Sequence, residues 1–292
     1  MKMMIPALAL LLSAATAQEG TIDLKWNFQK DQELLYKSIQ KTSMAAGGQG
    51  MKQEMSATIS MTVTEVDEKG AGTITARYVA LSAKSEGPQE YDYDSEKDKE
   101  APTEPPLSLM AKLVGQSFTL KMSASGRVIE VKGFDKILDT MVKGDENAAA
   151  MMKQMFSDEA YKGMMQQMAP PLPEGKVAKG ATWANDFTIK MPFLGNMKFC
   201  MTSTLADVKD QNALIDQEIT IEFKPGNDKD NPMAGMVEIK NSKGKSTSVF
   251  SIERGCFLSQ KGRMEMNISA GGQEMPILTE SSFTLVEKKK NP

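Results

Sequence analysis

The sequence predicts an α+β protein dominated by antiparallel β-sheet, with two related β halves on either side of a short helical segment. Three observations predict this class. Apolar and polar residues alternate with period two over most of the chain, apolar residues take helical spacing between Phe134 and Met168, and a motif at Met51 returns at Met197. The predicted organisation is a signal peptide at 1–17, a first antiparallel β half at 18–132, a helical segment at 133–170 and a second antiparallel β half at 171–292.

The chain begins with the three parts of a secretory signal peptide. Lys2 supplies the positive start, an apolar run extends from Met3 to Leu12, and Ala15 and Ala17 form the small-residue pattern of a cleavage site. We expect cleavage after Ala17 and export of a soluble chain to the periplasm or the cell exterior. No later segment approaches the roughly 20 apolar residues of a membrane-spanning helix, so no membrane span is predicted.

The first half is predicted to be mostly strand. In "MKQEMSATISMTV", which starts at Met51, the apolar residues Met51, Met55, Ile59 and Val63 fall on one face and Lys52 begins the polar face. This pattern is typical of a half-buried antiparallel strand. "TITARYVALSA" follows as its return partner, and "QSFTLKMS" with "RVIEVKG" forms a second hairpin signal around the turn "ASG".

The helical segment is predicted to contain more than one helix. Apolar residues follow the spacing i, i+3, i+4, i+7, i+8 from Phe134, and helical spacing starts again at Ala148 and at Tyr161. Gly144 is typical of a helix stop. We predict a break at Ser157, because the last two apolar stripes would point to nearly opposite sides of one continuous helix.

The second half returns to strand patterns, and part of it echoes the first half. "MKQEMSATI" at Met51 and "MKFCMTSTL" at Met197 share the pattern M-K-x-x-M-[ST]-x-T-[IL], and each is followed by a turn and another strand. We interpret the echo as a tandem duplication of a β unit. Either two similar lobes or one long curved sheet would follow from it.

The chain contains two cysteines, Cys200 and Cys256. Because we expect the chain to enter an oxidising compartment, we predict a disulfide between them. It would close a loop of about 57 residues, worth about 4 kcal/mol in the chain-entropy description. A reactive thiol is the alternative, but it needs a helix N-terminus or a histidine partner, and the chain has no histidine.

The absence of histidine also excludes the commonest catalytic arrangements. Ser-His-Asp and Cys-His catalysis and most zinc sites require it. Two Ser-x-x-Lys matches occur, Ser38 with Lys41 and Ser242 with Lys245, but the first lies on a predicted strand and the second in a turn. We therefore predict no catalytic residue, no cofactor and no enzymatic activity. A carboxylate pair brought together by folding is the alternative that one sequence leaves open.

Methionines and acidic residues raise two metal hypotheses. Copper(I) prefers thioether ligands, and the Met-rich stretch that begins at Met151 contains Met152 with Met155 and Met165 with Met168 at Met-x-x-Met spacing. The 24 methionines of the chain, however, are spread over the apolar faces of strands and helices alike, which favours core packing. A flexible apolar ligand surface is the third interpretation.

The acidic run "EYDYDSEKDKE" suggests a calcium loop. Asp92, Asp94, Glu96 and Asp98 alternate as EF-hand ligands do, but the sixth and twelfth loop positions lack the required Gly and Glu. A second acidic stretch, "KPGNDKDNPMAG", matches no better. We predict solvated loops for both and no metal ligand.

Several segments resemble one exported bacterial family, known only as a domain of unknown function. "MFSDEAYKGMMQQ" followed by "LPEGKVAKGATW" is similar to that family's helix beginning near M-F-S and its L-P-x-x-x-V-x-x-G-x-x-W segment, which ends here at Trp183. "VDEKGAGTITARYVAL", "EYDYDSE" and "FTLKMSASGRVIEV" also fit. Ala181 departs from the usual acidic or small polar residue after Gly180. The resemblance implies an exported β-rich protein and brings no activity or site residue.

We therefore predict a non-catalytic exported binding or structural protein, whose partner is another protein or an apolar small molecule. The alternative is a carrier of a lipid or other apolar ligand in a cavity of a curved β-sheet. A copper or calcium binder is the weaker third hypothesis. The formal charge of −3, which becomes −4 when Lys2 is removed, argues against electrostatic binding of nucleic acid.

Overall fold

Strands dominate the fold, as the alternating pattern predicts. The computed structural model describes residues 20–46, 49–141, 158–168, 170–191, 195–226, 237–270 and 272–286. The strands of the first half are β1 (Ile22–Asp23), β2 (Glu33–Ala46), β3 (Gln49–Val66), β4 (Gly72–Glu86), β5 (Tyr91–Asp94), β6 (Ser117–Met122) and β7 (Val128–Lys132). The helices within these ranges are α1 (Leu107–Ala111), α2 (Phe134–Met141) and α3 (Asp158–Met168). The later strands are β8 (Lys176–Val177), β9 (Thr182–Met191), β10 (Gly195–Lys209), β11 (Asn212–Pro225), β12 (Val237–Ser251), β13 (Cys256–Ala270) and β14 (Gln273–Val286).

Twelve of these strands form one antiparallel sheet. Its order is β7-β6-β4-β3-β2-β14-β13-β12-β11-β10-β9, with β5 beside β4, while β1 pairs with β8. The first half runs from the centre of the sheet to the β7 edge, and the second half returns from the β9 edge to the centre. The two halves meet where β2 pairs with β14, for example at Lys41 and Glu280. Of the two arrangements open from the sequence, the structure shows the single continuous sheet.

The strand register sorts the side chains into two faces. Tyr36 of β2 lies opposite Ile59 of β3 and Leu285 of β14, and alternate positions along each strand share a face. We call the face of Tyr36 the inner face and the other the outer face. The prediction for β3 is confirmed, because Met51, Met55, Ala57, Ile59, Met61 and Val63 all take inner positions.

Helix α3 lies between the two edge strands of the sheet and packs against both β7 and β9. On the β7 side, the Gln166 amide oxygen accepts a hydrogen bond of 2.9 Å from Val128 N, and its nitrogen donates one of 3.1 Å to Gly126 O. On the β9 side the helix approaches closely at Gly163, where a Cβ atom would lie 3.0 Å from Ile189 Cγ1. The sheet is therefore curved so strongly that both of its edge strands contact the same helix.

The segment after α3 also connects the two edges. Pro171 O accepts hydrogen bonds from Trp183 Nε1 at 3.0 Å and Asn185 Nδ2 at 3.2 Å, both on β9. The next residue, Leu172, donates from its backbone N to Ser125 O at 2.8 Å, in the turn between β6 and β7. These bonds satisfy the backbone groups of a proline-rich stretch that forms no regular structure itself.

One end of the curved sheet is closed by the N-terminal segment that follows β1. Leu24, Trp26 and Phe28 are buried at alternate positions. Trp26 N donates to Ala124 O at 2.7 Å and Asn27 N donates to Gly255 O at 3.0 Å. The segment thus crosses from the β6–β7 turn to the β12–β13 turn, and we call this the closed end. The main apolar core lies here.

Aromatic rings join the helices to this core. Tyr161 of α3 stacks on Phe134 of α2 with ring centroids 3.5 Å apart, and both contact Phe118 of β6 edge to face. The Tyr161 hydroxyl lies 2.8 Å from that of Tyr78 on β4. Helices α2 and α3 therefore bury their apolar sides against the inner face, as amphipathic spacing requires.

The predicted helical segment is confirmed where the structure describes it. α2 begins at Phe134, and α3 covers the apolar stripe that starts at Tyr161. The predicted stripe at Ala148 and the stop at Gly144 lie outside the described residues. Helix α1 was not predicted, because it follows a proline-rich connection. In the part of the chain that the structure describes, no helix has the length and apolar character needed to cross a bilayer.

Candidate functional site

The inner face continues beyond the core, and there it stays accessible. On β3, β2 and β14, the positions from Met55, Gln40 and Ser281 onward lie on the same face as the core but away from the closed end. Met55 is 43% exposed, and Gln40 and Ser281 are also exposed. We call this surface the open half. Its members are Met51, Gln53 and Met55 of β3, Gln40, Thr42 and Met44 of β2, and Met275, Ile277, Thr279 and Ser281 of β14.

An open cleft of about 720 Å³ lies at the strand ends beside the open half. It shares Met44, Met51 and Ile277 with that surface. Outer-face side chains complete the lining, including the charged Lys52, Lys243, Arg263, Glu265 and Glu86. The cleft therefore lies at the rim of the sheet, with apolar side chains on one side and charged groups on the other.

A second apolar cluster covers the inner face of the later strands. Ile189, Phe199 and Ile221 are buried there, and Met264 and Met266 pack against them from β13. Gly244 of β12 lies between, and a Cβ atom at this glycine would come within 2.8 Å of the Met264 methyl carbon. The absence of a side chain at Gly244 allows β13 methionines to lie over β12.

Between this cluster and the main core, a row of paired inner positions runs across neighbouring strands and carries mostly neutral polar side chains. We call this row the polar belt. Its members, from β10 across to β2, are Ser203, Gln217, Ser246, Gly262, Ser281 and Gln40. Gln217 is 3% exposed and binds both neighbours. Its nitrogen donates to Ser203 Oγ at 3.1 Å, and its oxygen accepts from Ser246 Oγ at 2.7 Å. A buried amide is thereby kept hydrogen-bonded inside an apolar face.

Two further polar groups lie in the adjoining inner row. Gln260 Nε2 donates to Gln217 Oε1 at 3.5 Å. Ser248 is fully buried, and its hydroxyl has no hydrogen-bond partner among the residues that the structure describes. A buried hydroxyl without a partner costs about 1–3 kcal/mol, so this one needs a physical reason.

The polar belt was not predicted from the sequence. The signal was present in "NALIDQEITI", where Gln217 interrupts the alternating apolar residues Ala213, Ile215, Ile219 and Ile221. One polar residue at an inner position of one strand is unremarkable. Only the register of neighbouring strands shows that these interruptions coincide in one row.

The outer face carries a row of charges across eight adjacent strands. From β5 to β11 its members are Asp92, Lys84, Glu54, Lys41, Glu280, Arg263, Lys245 and Glu218. Lys41 Nζ lies 3.0 Å from Glu54, and Lys245 Nζ lies 3.3 Å from Glu218. Opposite charges face each other at every step except Arg263 beside Lys245. The row favours this strand register, because a shifted strand would lose these opposite-charge pairs.

The predicted disulfide between Cys200 and Cys256 is not formed, and this prediction is corrected. Both cysteines are free. Cys256 of β13 pairs with Ser251 of β12, which pairs with Asn212 of β11, and Asn212 pairs with Lys209 of β10. Cys256 therefore lies in the same cross-strand row as Lys209. Cys200 lies nine residues from Lys209, about 30 Å along the strand. A disulfide needs Cα atoms within about 7 Å. Sequence spacing could not reveal these positions in the sheet.

Neither thiol has the surroundings of a reactive cysteine. Cys200 lies on the outer face, where partial burial and the nearby Asp186 raise the pKa of its thiol. Cys256 is buried beside Tyr36, and burial raises the pKa of its thiol too. Reactive cysteines need a lowered pKa, so the geometry does not support the alternative of a nucleophilic thiol.

The candidate metal residues are only partly described. Met151, Met152 and Met155 lie outside the described residues, as does the acidic stretch 227–236. Met165 packs against the main core and lines a small apolar cavity of about 40 Å³. α3 ends at Met168. Across the described ranges, no group of three His, Cys, Asp or Glu side chains is close enough together to hold a metal ion.

The acidic run at Asp92 forms turn contacts. Asp94 pairs with Lys97 Nζ at 2.6 Å and accepts a hydrogen bond from Glu96 N at 3.0 Å, and these contacts lower the pKa of its carboxyl. Asp98 accepts from Asp94 N at 2.7 Å. Asp92 takes its place in the outer charged row opposite Lys84. The carboxylates thus stabilise the turn after β5.

The two Ser-x-x-Lys matches do not form catalytic pairs. Ser38 Oγ donates to the backbone oxygen of Ala57 at 3.4 Å on the inner face. Ser242 Oγ bridges the backbone N and O of Ile221, at 2.9 and 2.7 Å. Lys41 and Lys245 are both outer-face members of the charged row. In each pair the lysine makes its contacts with carboxylates.

No curated protein matches the sequence. Among solved structures, "Lipid-protein interactions in lipovitellin" is similar with a TM-score of 0.52 and 10% identity, and the match covers 91% of this chain and 26% of that chain. At this identity the likeness shows the fold alone. The chain spans about a quarter of the length of that structure.

Two other matches are weak. OccK5 (OpdH) of Pseudomonas aeruginosa matches with a TM-score of 0.26 and 8% identity, covering 88% of this chain and 99% of that chain. DynF from the dynemicin biosynthesis pathway of Micromonospora chersina matches with a TM-score of 0.22 and 8% identity, covering 94% and 88%. Neither supports an argument about this chain.

The resemblance to a domain of unknown function, stated from the segments around "MFSDEAYKGMMQQ" and Trp183, is confirmed. A family's sequence profile matches residues 69–255, more than half of the chain, and the chain therefore belongs to the family of unknown function DUF6263.

Proposed function

We propose that this chain is an exported, non-catalytic binding protein that carries a lipid or another apolar ligand on the inner face of its curved sheet. One observation carries the proposal. Side chains on the core face of β3, β2 and β14 stay accessible past the end of the core, with Met55 43% exposed. A partly covered face that combines apolar side chains with a few neutral polar ones is typical of a ligand surface.

The composition of the open half suits an apolar ligand of variable shape. Met44, Met51, Met55 and Met275 contribute unbranched, polarisable side chains, and Ile277 lies among them. Methionine surfaces adapt to different ligands because the side chain has three rotatable bonds. Covering this surface with an acyl chain would gain about 25 cal/mol for each Å² of apolar area removed from water.

The size of the adjoining cleft fits the same function. Its volume of about 720 Å³ falls within the range of small-molecule sites, roughly 300–1,000 Å³. It shares Met44 and Met51 with the open half, so one elongated ligand could contact both.

Three other observations support parts of the proposal. The signal peptide predicted at residues 1–17 supports export. The lack of histidine and the charge pairing on the outer face support a non-catalytic role. The likeness in fold to lipovitellin, a protein whose solved structure describes lipid–protein interactions, agrees with a lipid ligand and is an analogy of fold.

Native mass spectrometry of the chain purified from the exported fraction of its host tests this function. We expect co-purified mass that matches a lipid or another apolar compound. The delipidated protein should take up the neutral apolar dye Nile red. Bare polypeptide combined with no dye uptake would contradict the proposal and favour a protein partner.

A pair of variants places the ligand on the inner face. Met55→Lys puts a charge on the open half, and we expect dye affinity to fall at least about tenfold because the ammonium must be desolvated. Ser56→Lys puts the same charge on the outer face of the same strand and should leave affinity within about twofold. Equal losses in both variants would show that the open half is not the site.

A further inference from the structure

The inner face carries no charge. Among the described residues of β2 to β7 and β9 to β14, no inner position is occupied by Asp, Glu, Lys or Arg, although a quarter of the whole chain is charged. The charges of these strands lie on the outer face, as in the row that includes Lys41 and Glu54. A ligand on the open half of the inner face would therefore meet only neutral strand side chains on that face.

The polar belt joins several neutral polar groups of the inner face in one hydrogen-bonded row. Gln217 uses one of its two N–H donors on Ser203 and accepts two bonds, from Ser246 and Gln260. Ser248 beside it keeps an unpartnered, fully buried hydroxyl. The belt and its neighbours thus retain unused donors and acceptors of neutral type.

The belt also reaches the open half. Ser203, Gln217 and Ser246 are buried, whereas Ser281 and Gln40 at the other end of the same row are exposed. Gly262 connects the two parts, and a Cβ there would lie 3.1 Å from Ser281 Oγ and 3.2 Å from Ser246 Cβ. A polar group of a ligand lying on the open half would meet hydrogen-bonding partners along this row.

The geometry points to a ligand with an uncharged, hydrogen-bonding head group, a hydroxyl or ester as in a monoacylglycerol, which the polar belt binds while the open half covers the chain. This inference rests on the proposed function and names its ligand class. Hydroxyl and ester oxygens match the unused neutral donors and acceptors. At the polar belt a carboxylate or phosphate would lose its hydration without meeting a cation, and an unpaired buried charge is costly. The net charge of −3 also disfavours anions.

Displacement of Nile red from the delipidated protein at pH 8 tests the inference. We expect 1-monolauroylglycerol to displace the dye at a concentration at least about 30-fold lower than laurate, which has the same chain and a charged head. Equal or stronger displacement by laurate would overturn the inference while leaving the apolar carrier intact. If the protein takes up no dye and neither compound has an effect, both the inferred ligand class and the proposed carrier function are contradicted.

Variants of the belt test its role directly. Gln217→Leu should weaken the binding of 1-monolauroylglycerol about fivefold, which is the effect of losing one hydrogen bond. The affinity for laurate should stay unchanged. The matched control is Thr247→Val on the outer face, where Thr247 Oγ1 donates to Asp216 at 2.8 Å. Gln40→Leu, at the exposed end of the belt, is the second belt variant and should show the same selective loss, and circular dichroism checks that each variant folds. Unchanged affinity for 1-monolauroylglycerol in the folded belt variants would overturn the inference.

Discussion

Gln166 and Val128 are 38 residues apart in sequence, yet the Gln166 side-chain oxygen accepts a 2.9 Å hydrogen bond from Val128 N. The same amide donates to Gly126 O at 3.1 Å, so one side chain satisfies two buried backbone groups at the start of an edge strand. A helix side chain therefore provides the hydrogen bonds that a neighbouring strand would otherwise provide, and these bonds connect α3 to the β7 edge of the sheet.

Gln166→Ala should therefore lower the free energy of unfolding by about 2–3 kcal/mol, because two buried backbone groups lose their partners. Urea denaturation followed by circular dichroism measures the change. Met164→Ala is the matched control, since Met164 lies on the same helix and is 38% exposed. If Gln166→Ala lowers the free energy of unfolding no more than the control does, the Gln166 bonds do not stabilise the contact between α3 and β7.

Gly255→Ala should destabilise the closed end. Gly255 has φ +59°, and a Cβ there would lie 2.5 Å from Asn27 N, on the segment that crosses this end. We expect a loss of about 3 kcal/mol or more, since backbone strain and displacement of Asn27 act together. Gly180→Ala is the control, with φ +84° and nothing within 4 Å of the added Cβ, and should cost about 1 kcal/mol. Similar losses at both positions would show that the contact with Asn27 is unimportant.

The buried tyrosines predict instability at high pH. Burial, with the neighbouring Tyr78 hydroxyl, raises the pKa of Tyr161 well above 10, and burial also raises the pKa of Tyr36 and Tyr78. Above pH 10 the unfolded chain loses tyrosine protons that the folded chain retains. The free energy of unfolding should then fall by up to about 1.4 kcal/mol per pH unit for each buried tyrosine, with no contribution from these groups below pH 9.

Urea denaturation at several pH values between 8 and 11.5 measures this slope, and Tyr161→Phe should make it shallower. Tyrosine absorbance near 295 nm provides a second readout, because Tyr36 and Tyr161 should ionise only as the protein unfolds. Complete titration of all tyrosines near pH 10 in the folded protein would refute the assignment.

The free cysteines give a direct chemical prediction. Cys200 is half-buried on the outer face and Cys256 is 1% exposed. With a thiol reagent such as DTNB, we expect one thiol to react in the folded protein and a second only after unfolding. The intact mass without reductant should retain both thiol hydrogens. A mass lower by two hydrogens, together with no reactive thiol in denaturant, would show that Cys200 and Cys256 form a disulfide after all.

The strands and the main helices were predictable because their signals are local. Period-two alternation placed Met51, Met55 and Val63 on one face, and helical spacing from Phe134 placed α2. The polar belt and the charged row were not predictable, since each is a property of register between strands far apart in sequence. The disulfide prediction failed for the same reason, because compartment and cysteine count say nothing about which strand carries each cysteine.

The pairing of β2 with β14 determines when the sheet can be completed. Thr42 and Thr279, whose hydroxyls lie 3.4 Å apart across this pair, are separated by 237 residues. β2 is among the first strands to leave a ribosome or a translocation channel, and it keeps one bare edge until residues 273–286 arrive. An unpaired edge can pair with another chain, so the incomplete protein should depend on holding chaperones until β14 is available. The proposed ligand surface lies on these same strands and can form only after they have paired.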